Sequence, residues 1–159
     1  MTVRVAKFTD IPDLAKMLGE ARNLSRYKDT EVKVDVQHTK DMLAGCMQRH
    51  DGRGEGATWV LVSTDEEKLT GVIVGMACRI QEIMVQLYVT DILFYMAPDA
   101  PASDAYRMIR GVVDWGGNLT KVFEFTFGAT DVISDYERTA VMFRRLGMEQ
   151  RGVIYGVPK

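Results

Sequence analysis

One carboxylate, Asp91, lies inside the apolar run Leu87–Met96 and could transfer protons. The run is rich in β-branched and aromatic residues and is predicted to be a strand, with Thr90 and Asp91 its only polar positions. Strand alternation places Asp91 on the side of Val89 and Leu93, so it is expected to be half-buried. Burial raises the pKa of a carboxylate toward neutral pH, which suits a general base. The alternative is a strand-end residue that faces water or binds a neighbouring turn.

The other residue types that could act as bases or metal ligands are isolated. Glu82 is an alternative base, in the turn expected before the strand. His38 and His50 have no carboxylate or cysteine at ligand spacing. Cys46 and Cys78 form no CxxC pair. No metal site is therefore predicted.

Charge and hydropathy limit the classes of function. The chain of 159 residues has 20 basic and 22 acidic residues with neither sign in a block, whereas a nucleic-acid-binding surface needs a basic stripe. No apolar run reaches the roughly 18 residues of a membrane span. The N-terminus MTVRVAKFTD lacks the apolar stretch of a secretory signal. Thiols without a disulfide pattern are typical of a reducing compartment, so a cytoplasmic protein is expected.

The hydrophobic pattern of the N-terminal half predicts strands and helices within one domain, residues 1–159. A strand at Val3–Phe8 precedes a first helix, and a second helix is expected near Val36–Arg49. Ala57–Ser63 and Leu69–Arg79 are predicted to form a hairpin around a polar turn.

The pattern continues beyond the strand at residues 87–96. Two prolines break regular structure there, and Ser103 or Asp104 is expected to cap a helix that ends at Gly116. Lys121–Phe127 alternates strictly and is predicted to be a strand. Three aromatic residues are expected on one of its faces: Phe123, Phe125 and Phe127.

The C-terminal segments complete the element order. A last helix is predicted from about Ser134 to Leu146, closed by Gly147, and a final strand at Arg151–Val157. The order is β-α-α-β-β-β-α-β-α-β, an α/β arrangement with a mixed central sheet.

Two segments then carry a family resemblance. Asp91–Asp99 (DILFYMAPD) and Tyr136–Met148 (YERTAVMFRRLGM) resemble the central strand and the last-helix signature of the GNAT N-acetyltransferases. The similarity is strongest to the short GNAT-like proteins that bacteriophages often encode. Element order extends the resemblance over nearly the whole chain and implies the GNAT acyl-CoA N-acyltransferase fold.

The resemblance also implies how acetyl-CoA would be held. In the family, the central strand splays from its neighbour and pairs with the pantetheine arm, and N–H groups at the next helix bind the diphosphate. Asp91 stands at the offset where many members carry the base that faces the amine. The residues expected to contact the cofactor are Phe94, Tyr95, Met96, Ala102, Ser103, Asp104, Ala105 and Phe143.

The loop at residues 98–105 departs from the family pattern. Members carry an arginine and closely spaced glycines, because glycine lets the backbone approach phosphate. Here Pro101 stands near the arginine position, no glycine occurs, and Asp104 adds a negative charge. The loop is either a variant that still donates N–H groups to phosphate or an ordinary helix cap.

The expected general acid also differs. Phe143 stands four residues before the helix-ending glycine, where the family usually has a tyrosine that protonates the departing thiolate. Tyr136, on the same helix, and Tyr155, on the predicted last strand, are the candidate replacements. Each is alternatively an amphipathic residue at the edge of the core.

The resemblance therefore predicts an enzyme that transfers an acetyl group from acetyl-CoA to a primary amine of a small molecule or a protein, without a metal. The alternative is a GNAT-fold binding or structural protein that has lost acetyl-CoA binding. The acceptor and the formation of a homodimer stay open. Neither nucleic acid nor a membrane is expected as a partner.

Overall fold

The computed structural model describes residues 2–133 and 136–157, which form a five-stranded sheet with helices on both faces. The strands, in sheet order, are β1 (Thr2–Val5), β2 (Thr58–Asp65), β3 (Lys68–Arg79), β4 (Leu87–Met96) and β5 (Val122–Thr126). β1 to β4 are antiparallel, and β5 runs parallel to β4. The helices are α1 (Ile11–Arg22), α2 (Val36–Met47), α3 (Ala102–Gly117) and α4 (Tyr136–Arg145).

Two apolar clusters lie on opposite faces of the sheet. Along β2, Val60 and Val62 belong to the cluster that α1 and α2 cover, whereas Leu61 belongs to the cluster that α3 and α4 cover. This division follows from the period of two in a strand. Burial on both faces explains why β2, β3 and β4 are near-continuous apolar runs in the sequence.

α3 packs against the sheet at two glycines. A Cβ atom at Gly75 of β3 would lie 2.5 Å from Cγ1 of Val112 in α3. One at Gly111 of α3 would lie 2.6 Å from Cδ1 of Leu61. A larger residue at either position would force the Val112 or Leu61 side chain to shift, so glycine favours this packing.

The C-terminal end of α2 holds part of the edge of β2. The Thr58 hydroxyl donates to the Cys46 carbonyl, and the Thr58 N–H donates to the Arg49 carbonyl at 3.3 Å. The Val60 N–H donates to Nε2 of His50 at 3.1 Å. Since Nε2 accepts this bond, the geometry requires the neutral imidazole.

His50 should make stability depend on pH. Burial holds its pKa below the ordinary value, so the unfolded chain takes up the proton first as pH falls. We expect the free energy of unfolding to decrease as pH drops from about 6.5 through the lower pKa of the folded state. Urea unfolding at pH 7.5 and 5.5 tests this. His50→Gln retains an acceptor without titrating, so its loss on acidification should be smaller. An equal loss in both proteins would contradict the role of His50.

The end of the chain differs from the sequence prediction. Residues 151–157 have no regular secondary structure and are exposed throughout, so the final strand predicted at Arg151–Val157 is not formed. A strand requires a partner, and in the part of the chain that the structure describes no strand pairs with the outer edge of β5. The predicted start of the last helix at Ser134 lies outside the described residues, and α4 is described from Tyr136.

β5 also differs in its faces. The register with β4 shifts between Leu87 and Tyr88: Leu87 pairs with Val122 and Tyr88 pairs with Glu124, which leaves Phe123 as an extra residue in β5. The resulting bulge turns Phe123 outward, 77% exposed, whereas Phe125 and Phe127 pack in the α3-side cluster. The expectation that all three phenylalanines share one face is therefore wrong. Within residues 2–133 and 136–157, no helix has the length and hydropathy of a membrane span.

Candidate functional site

β4 and β5 diverge about halfway along β4. β5 pairs with Leu87–Thr90 only, while β4 continues to Met96 with β3 as its partner. Among the described residues, the edge of β4 from Asp91 to Met96 therefore has no strand on its other side. This opening exposes backbone donors and acceptors in an extended conformation, which is what an amide-containing chain needs for pairing.

A β-bulge marks the point of divergence. Val74 pairs with Leu93 and Gly75 pairs with Asp91, which leaves Ile92 as an extra residue in β4. The bulge reverses the alternation: Leu93 packs with α1 and α2, whereas Val89 packs with α3. The prediction that Val89, Asp91 and Leu93 lie on one side of the strand is therefore wrong, because Leu93 packs on the opposite face of the sheet from Val89.

The cofactor-facing residues predicted in β4 follow from this reversal. Tyr95 is buried in the cluster of α1 and α2, and Phe94 and Met96 pack partly buried against the α3-side cluster. Their side chains belong to the core, so what they offer at the opening is backbone.

Asp91 joins the two diverging strands. Its Oδ1 accepts a hydrogen bond of 2.8 Å from the N–H of Gly128, which follows β5. Burial raises the pKa of this carboxyl, and the hydrogen bond from Gly128 opposes that rise. The expected bond to a neighbouring turn and the expected half-burial are therefore both observed, whereas the role of Asp91 as a base stays a prediction. Glu82 lies exposed before the N-terminal end of β4, away from the opening.

The N-terminus of α3 has no capping side chain. The helix begins at Ala102 after Pro101, so the expectation that Ser103 or Asp104 caps it is wrong. The Asp104 N–H donates to the Pro101 carbonyl at 3.0 Å. The N–H groups of Ala102 and Ser103 have no acceptor in the part of the chain that the structure describes. The N–H of Ala105, the fourth helical residue, is one that an α-helix uses internally. Two uncapped donors at the positive end of a helix can bind an anion.

The Asp104 carboxylate is directed into the protein, not toward the loop. Its side chain is 1% exposed, and its Oδ2 accepts from the Ser63 hydroxyl at 2.7 Å. Arg107 lies 3.3 Å from Oδ1. The Ser63 hydroxyl also contacts the Thr70 hydroxyl at 2.9 Å, and the Thr70 carbonyl accepts from the Ala97 N–H at 2.8 Å. The segment from residue 97 to 104 is thus tied to β3 at its start and to β2 at its end.

A lysine that the sequence pattern did not indicate lies beside this loop. Lys68, the first residue of β3, is 3.1 Å from the Asp99 carboxylate. This hydrogen bond lowers the pKa of Asp99. Lys68 is distant in sequence from the loop, so only the hairpin geometry reveals it.

The aromatic candidates are separated. Phe143 is 8% exposed in the α3-side cluster, with its ring tilted against Phe127 at 6.0 Å. Tyr136 is the first residue of α4 and 48% exposed. Tyr155 is 90% exposed in the segment without secondary structure. The structure does not bring Tyr155 to the opening, because the strand that would carry it is not formed.

The loop between α1 and α2 meets the segment after β5. Arg26 pairs with Asp131 at 2.9 Å, and its N–H donates to the Val132 carbonyl at 2.8 Å. One guanidinium, that of Arg22, fixes this loop by donating to the carbonyls of Lys28, Thr30 and Val32. The segment after β5, which begins at Gly128, is therefore also held in place by the loop between α1 and α2.

Comparison with known proteins gives a match in structure alone. Neither a protein-family model nor a curated protein sequence matches the chain. A ribosomal-protein-alanine N-acetyltransferase from Brucella melitensis biovar Abortus 2308 matches with a TM-score of 0.67 over 100% of both chains, at 12% identity. An aminoglycoside antibiotic 6'-N-acetyltransferase from Acinetobacter haemolyticus matches with a TM-score of 0.63 at 17% identity, over 100% of this chain and 99% of that one.

A third match was solved with a ligand. The acetyltransferase AAC(6')-Iy, in complex with the bisubstrate analogue CoA-S-monomethyl-acetylneamine, has a TM-score of 0.64 at 14% identity, over 99% of this chain and 97% of that one. These matches extend over the whole chain and agree with the mixed sheet described above. The chain therefore has the fold of the GNAT acetyltransferases.

Proposed function

We propose that the protein is an N-acetyltransferase that moves an acetyl group from acetyl-CoA to a primary amine of a small molecule or a protein. The observation that carries the proposal is the opening in the sheet. There an unpaired edge of β4, the bulge at Ile92 and the carboxylate of Asp91 occur within one strand. Fold likeness alone would not support an activity, since function depends on the site.

The residues present fit an acyl-CoA. A pantetheine arm carries amides that need extended backbone partners, and β4 offers them from Asp91 to Met96. A diphosphate needs N–H donors, and Ala102 and Ser103 supply two at a helix N-terminus. The lysine at the loop, Lys68, adds a cation nearby. Alanine at residues 100, 102 and 105 keeps the side chains around these donors small, although glycine is absent from the loop.

Acetyl-CoA would supply a thioester carbonyl, the electrophile of the reaction. The Asp91 carboxylate would take a proton from the attacking amine, and burial favours this role because it raises the pKa of the base. The bulge at Ile92 disturbs the regular ladder, and a backbone N–H released there from strand pairing would stabilise an oxyanion. Tyr136 is the remaining candidate to protonate the departing thiolate. That step needs little assistance, because a thiol is far more acidic than an alcohol.

The matched structures support an amine as the acceptor class. Their names describe acetylation of an alanine of a ribosomal protein and of an aminoglycoside. Both acceptors are amines, one on a protein and one on a small molecule. We therefore propose a primary amine without choosing between these two kinds.

Binding of acetyl-CoA should raise the melting temperature of the protein. Ligand at about 100 times its dissociation constant stabilises by about 2.7 kcal/mol, which amounts to several degrees for a domain of this size. Differential scanning fluorimetry with millimolar acetyl-CoA, followed by calorimetry, measures this. No shift and no heat of binding would favour the alternative, a GNAT-fold protein that has lost the cofactor.

One substitution tests the loop directly. Ala102→Pro deletes an N–H at the first helical position, where proline is tolerated, and Pro101 already has the extended ψ of 136° that a following proline requires. This variant should bind acetyl-CoA more weakly and melt near the wild-type temperature. Ala102→Ser keeps the N–H and is the matched control. Equal affinity in both variants would contradict diphosphate binding at this helix.

A further inference from the structure

Residues 128–133, the crossing segment, pass from one face of the sheet to the other. Ala129 packs against the α3-side cluster, whereas Ile133 packs against the cluster of α1 and α2. The segment contains neither helix nor strand, and the pairing of β5 with β4 has already ended at Thr126. Among the described residues, no ladder of strand hydrogen bonds therefore fixes the position of its N–H groups.

The crossing segment is attached near both of its ends. At the start, the Gly128 N–H donates to Oδ1 of Asp91 at 2.8 Å. Near the end, the Arg26 N–H donates to the Val132 carbonyl at 2.8 Å, and the Arg26 guanidinium lies 2.9 Å from the Asp131 carboxylate. Within the described parts of the chain, residues 129 and 130 between these attachments make no hydrogen bond between backbone groups. The position of Gly128 therefore depends on the attachment at Arg26.

The Arg26 side chain is itself held in one orientation. Its guanidinium lies over the Tyr27 ring, 5.1 Å from the centroid, and donates to the Tyr27 hydroxyl at 3.0 Å. The Tyr27 N–H donates to the hydroxyl of Ser25, a residue that is 4% exposed. Surface ion pairs are usually weak because two flexible side chains must be ordered. Here a ring contact and a hydrogen bond already order the cation, so its pair with Asp131 can hold the segment.

The crossing segment acts on Asp91 through a backbone group. Burial raises the pKa of this carboxyl, and the N–H groups of Gly128 and of Asp91 itself lower it. The charged side chains of the crossing segment, of β5 and of the middle of α3 are exposed or paired: Asp131 with Arg26, Asp114 with Arg110, and Glu124. The Gly128 N–H is therefore the group by which a shift of the segment would reach the carboxylate.

We propose that Arg26 is a positioning residue for the acetyl transfer proposed above. Through Asp131 and Val132 it holds the crossing segment so that the Gly128 N–H keeps the Asp91 carboxylate in one orientation, with Oδ2 left for the proton of the amine. The catalytic part of this inference rests on the proposed function, since only a base must be directed at a substrate. The physical link from Arg26 to Asp91 does not depend on activity.

Replacing Arg26 by glutamine removes the guanidinium and keeps the backbone N–H that binds Val132. Turnover, measured as thiol release, should fall by up to about 10²-fold, the effect of misplacing a reacting group by about 1 Å. The Gly128 N–H favours the charged carboxylate, so weakening that bond should move the rise of the rate with pH to higher pH. The affinity for acetyl-CoA should not change, because the N–H groups of α3 and the edge of β4 are unaltered.

A double-mutant cycle identifies the contact responsible. Asp131→Asn should cause the same loss of turnover, and the double variant should lose no more, because both changes remove one contact. Arg26→Lys keeps the charge but lacks the fork that reaches both Asp131 and Tyr27, so it should restore only part of the rate. Lys28→Gln removes a cation of the same loop that pairs with the adjacent Asp29, and it should behave as the wild type.

Nuclear magnetic resonance of the Gly128 amide tests the link without any substrate. In the isotope-labelled wild-type protein, the chemical shift of this proton should follow the titration of Asp91. In Arg26→Gln this dependence should weaken, its midpoint should move to higher pH, and exchange of the amide with solvent should be faster. Asp91→Asn should abolish the dependence.

A Gly128 signal and a pH profile that are unchanged in Arg26→Gln would overturn the proposal. Losses that add in the double variant would also overturn it, since the two residues would then act separately. No turnover in the wild type, with a Gly128 signal that responds to Arg26→Gln, would refute acetyl transfer and confirm the link. The two side chains are 53% and 65% exposed, so each variant should fold, which circular dichroism checks.

Discussion

Replacing Asp91 by asparagine should lower turnover by about 10²–10⁴-fold, the usual contribution of general base catalysis. The amide oxygen of asparagine can still accept the hydrogen bond from Gly128, so the link between β4 and the segment after β5 is retained. Burial raises the pKa of Asp91, which means that its charged form costs stability at neutral pH. The variant should therefore fold with unchanged or slightly higher stability and bind acetyl-CoA normally.

Thiol release from acetyl-CoA is the measurement, with an aminoglycoside and a peptide beginning in alanine as trial amines. In the wild type the rate should rise with pH as Asp91 loses its proton, and this rise should disappear in Asp91→Asn. Asp114→Asn is the matched control, because it removes an exposed carboxylate from the surface of α3. Normal turnover in Asp91→Asn, or failure of that variant to fold, would make Asp91 a structural residue.

The second large effect is expected at Asp104. Asp104→Ala removes the buried carboxylate that accepts from Ser63 and pairs with Arg107. The substitution removes the charged acceptor of a buried hydrogen bond and leaves Ser63 with Thr70 as its partner, which should cost about 1–3 kcal/mol in the free energy of unfolding. Because this contact ties the start of α3 to β2, the affinity for acetyl-CoA should fall too. Affinity for acetyl-pantetheine, which lacks the diphosphate, should change less.

Urea unfolding and calorimetry measure the two effects. Asp104→Asn keeps an acceptor for Ser63 and should lose less stability than Asp104→Ala. Asp114→Ala is the control on the same helix, since Asp114 is 61% exposed and pairs with Arg110 at the surface, where an ion pair contributes about 0–1 kcal/mol. If Asp104→Ala were as stable as Asp114→Ala, the buried contact would have no structural role.

The sequence predicts the elements well where they follow from local periodicity. β4 is predicted and observed at Leu87–Met96, and α2 begins at Val36 in both cases. Each is a long run with one dominant pattern, and each has its capping or breaking residues close by. Asp35, for example, accepts from the His38 N–H at the start of α2.

The errors arise where a distant part of the chain decides the outcome. The bulges at Ile92 and Phe123 depend on the register of a neighbouring strand, so strict alternation misplaces Leu93 and Phe123 itself. Asp104 is of a residue type that often caps helices, but its carboxylate instead accepts a hydrogen bond from the Ser63 hydroxyl, 41 positions away in the sequence. The segment at 151–157 has the pattern of a strand, and pattern alone does not provide the neighbour that a strand needs.

Two glycines of this chain, Gly75 and Gly111, lie inside the contact between α3 and the sheet, whereas the loop at the start of that helix has none. Val112 of α3 packs over Gly75, and Leu61 of β2 packs over Gly111, so these two contacts fix where α3 lies on the sheet. Sliding it by one turn would drive side chains into each other. The position of its first residue relative to β4 is thus set from the interior. If α3 binds the diphosphate as proposed, a larger side chain at Gly75 or Gly111 would move the first turn of the helix and change the affinity for acetyl-CoA from inside the core.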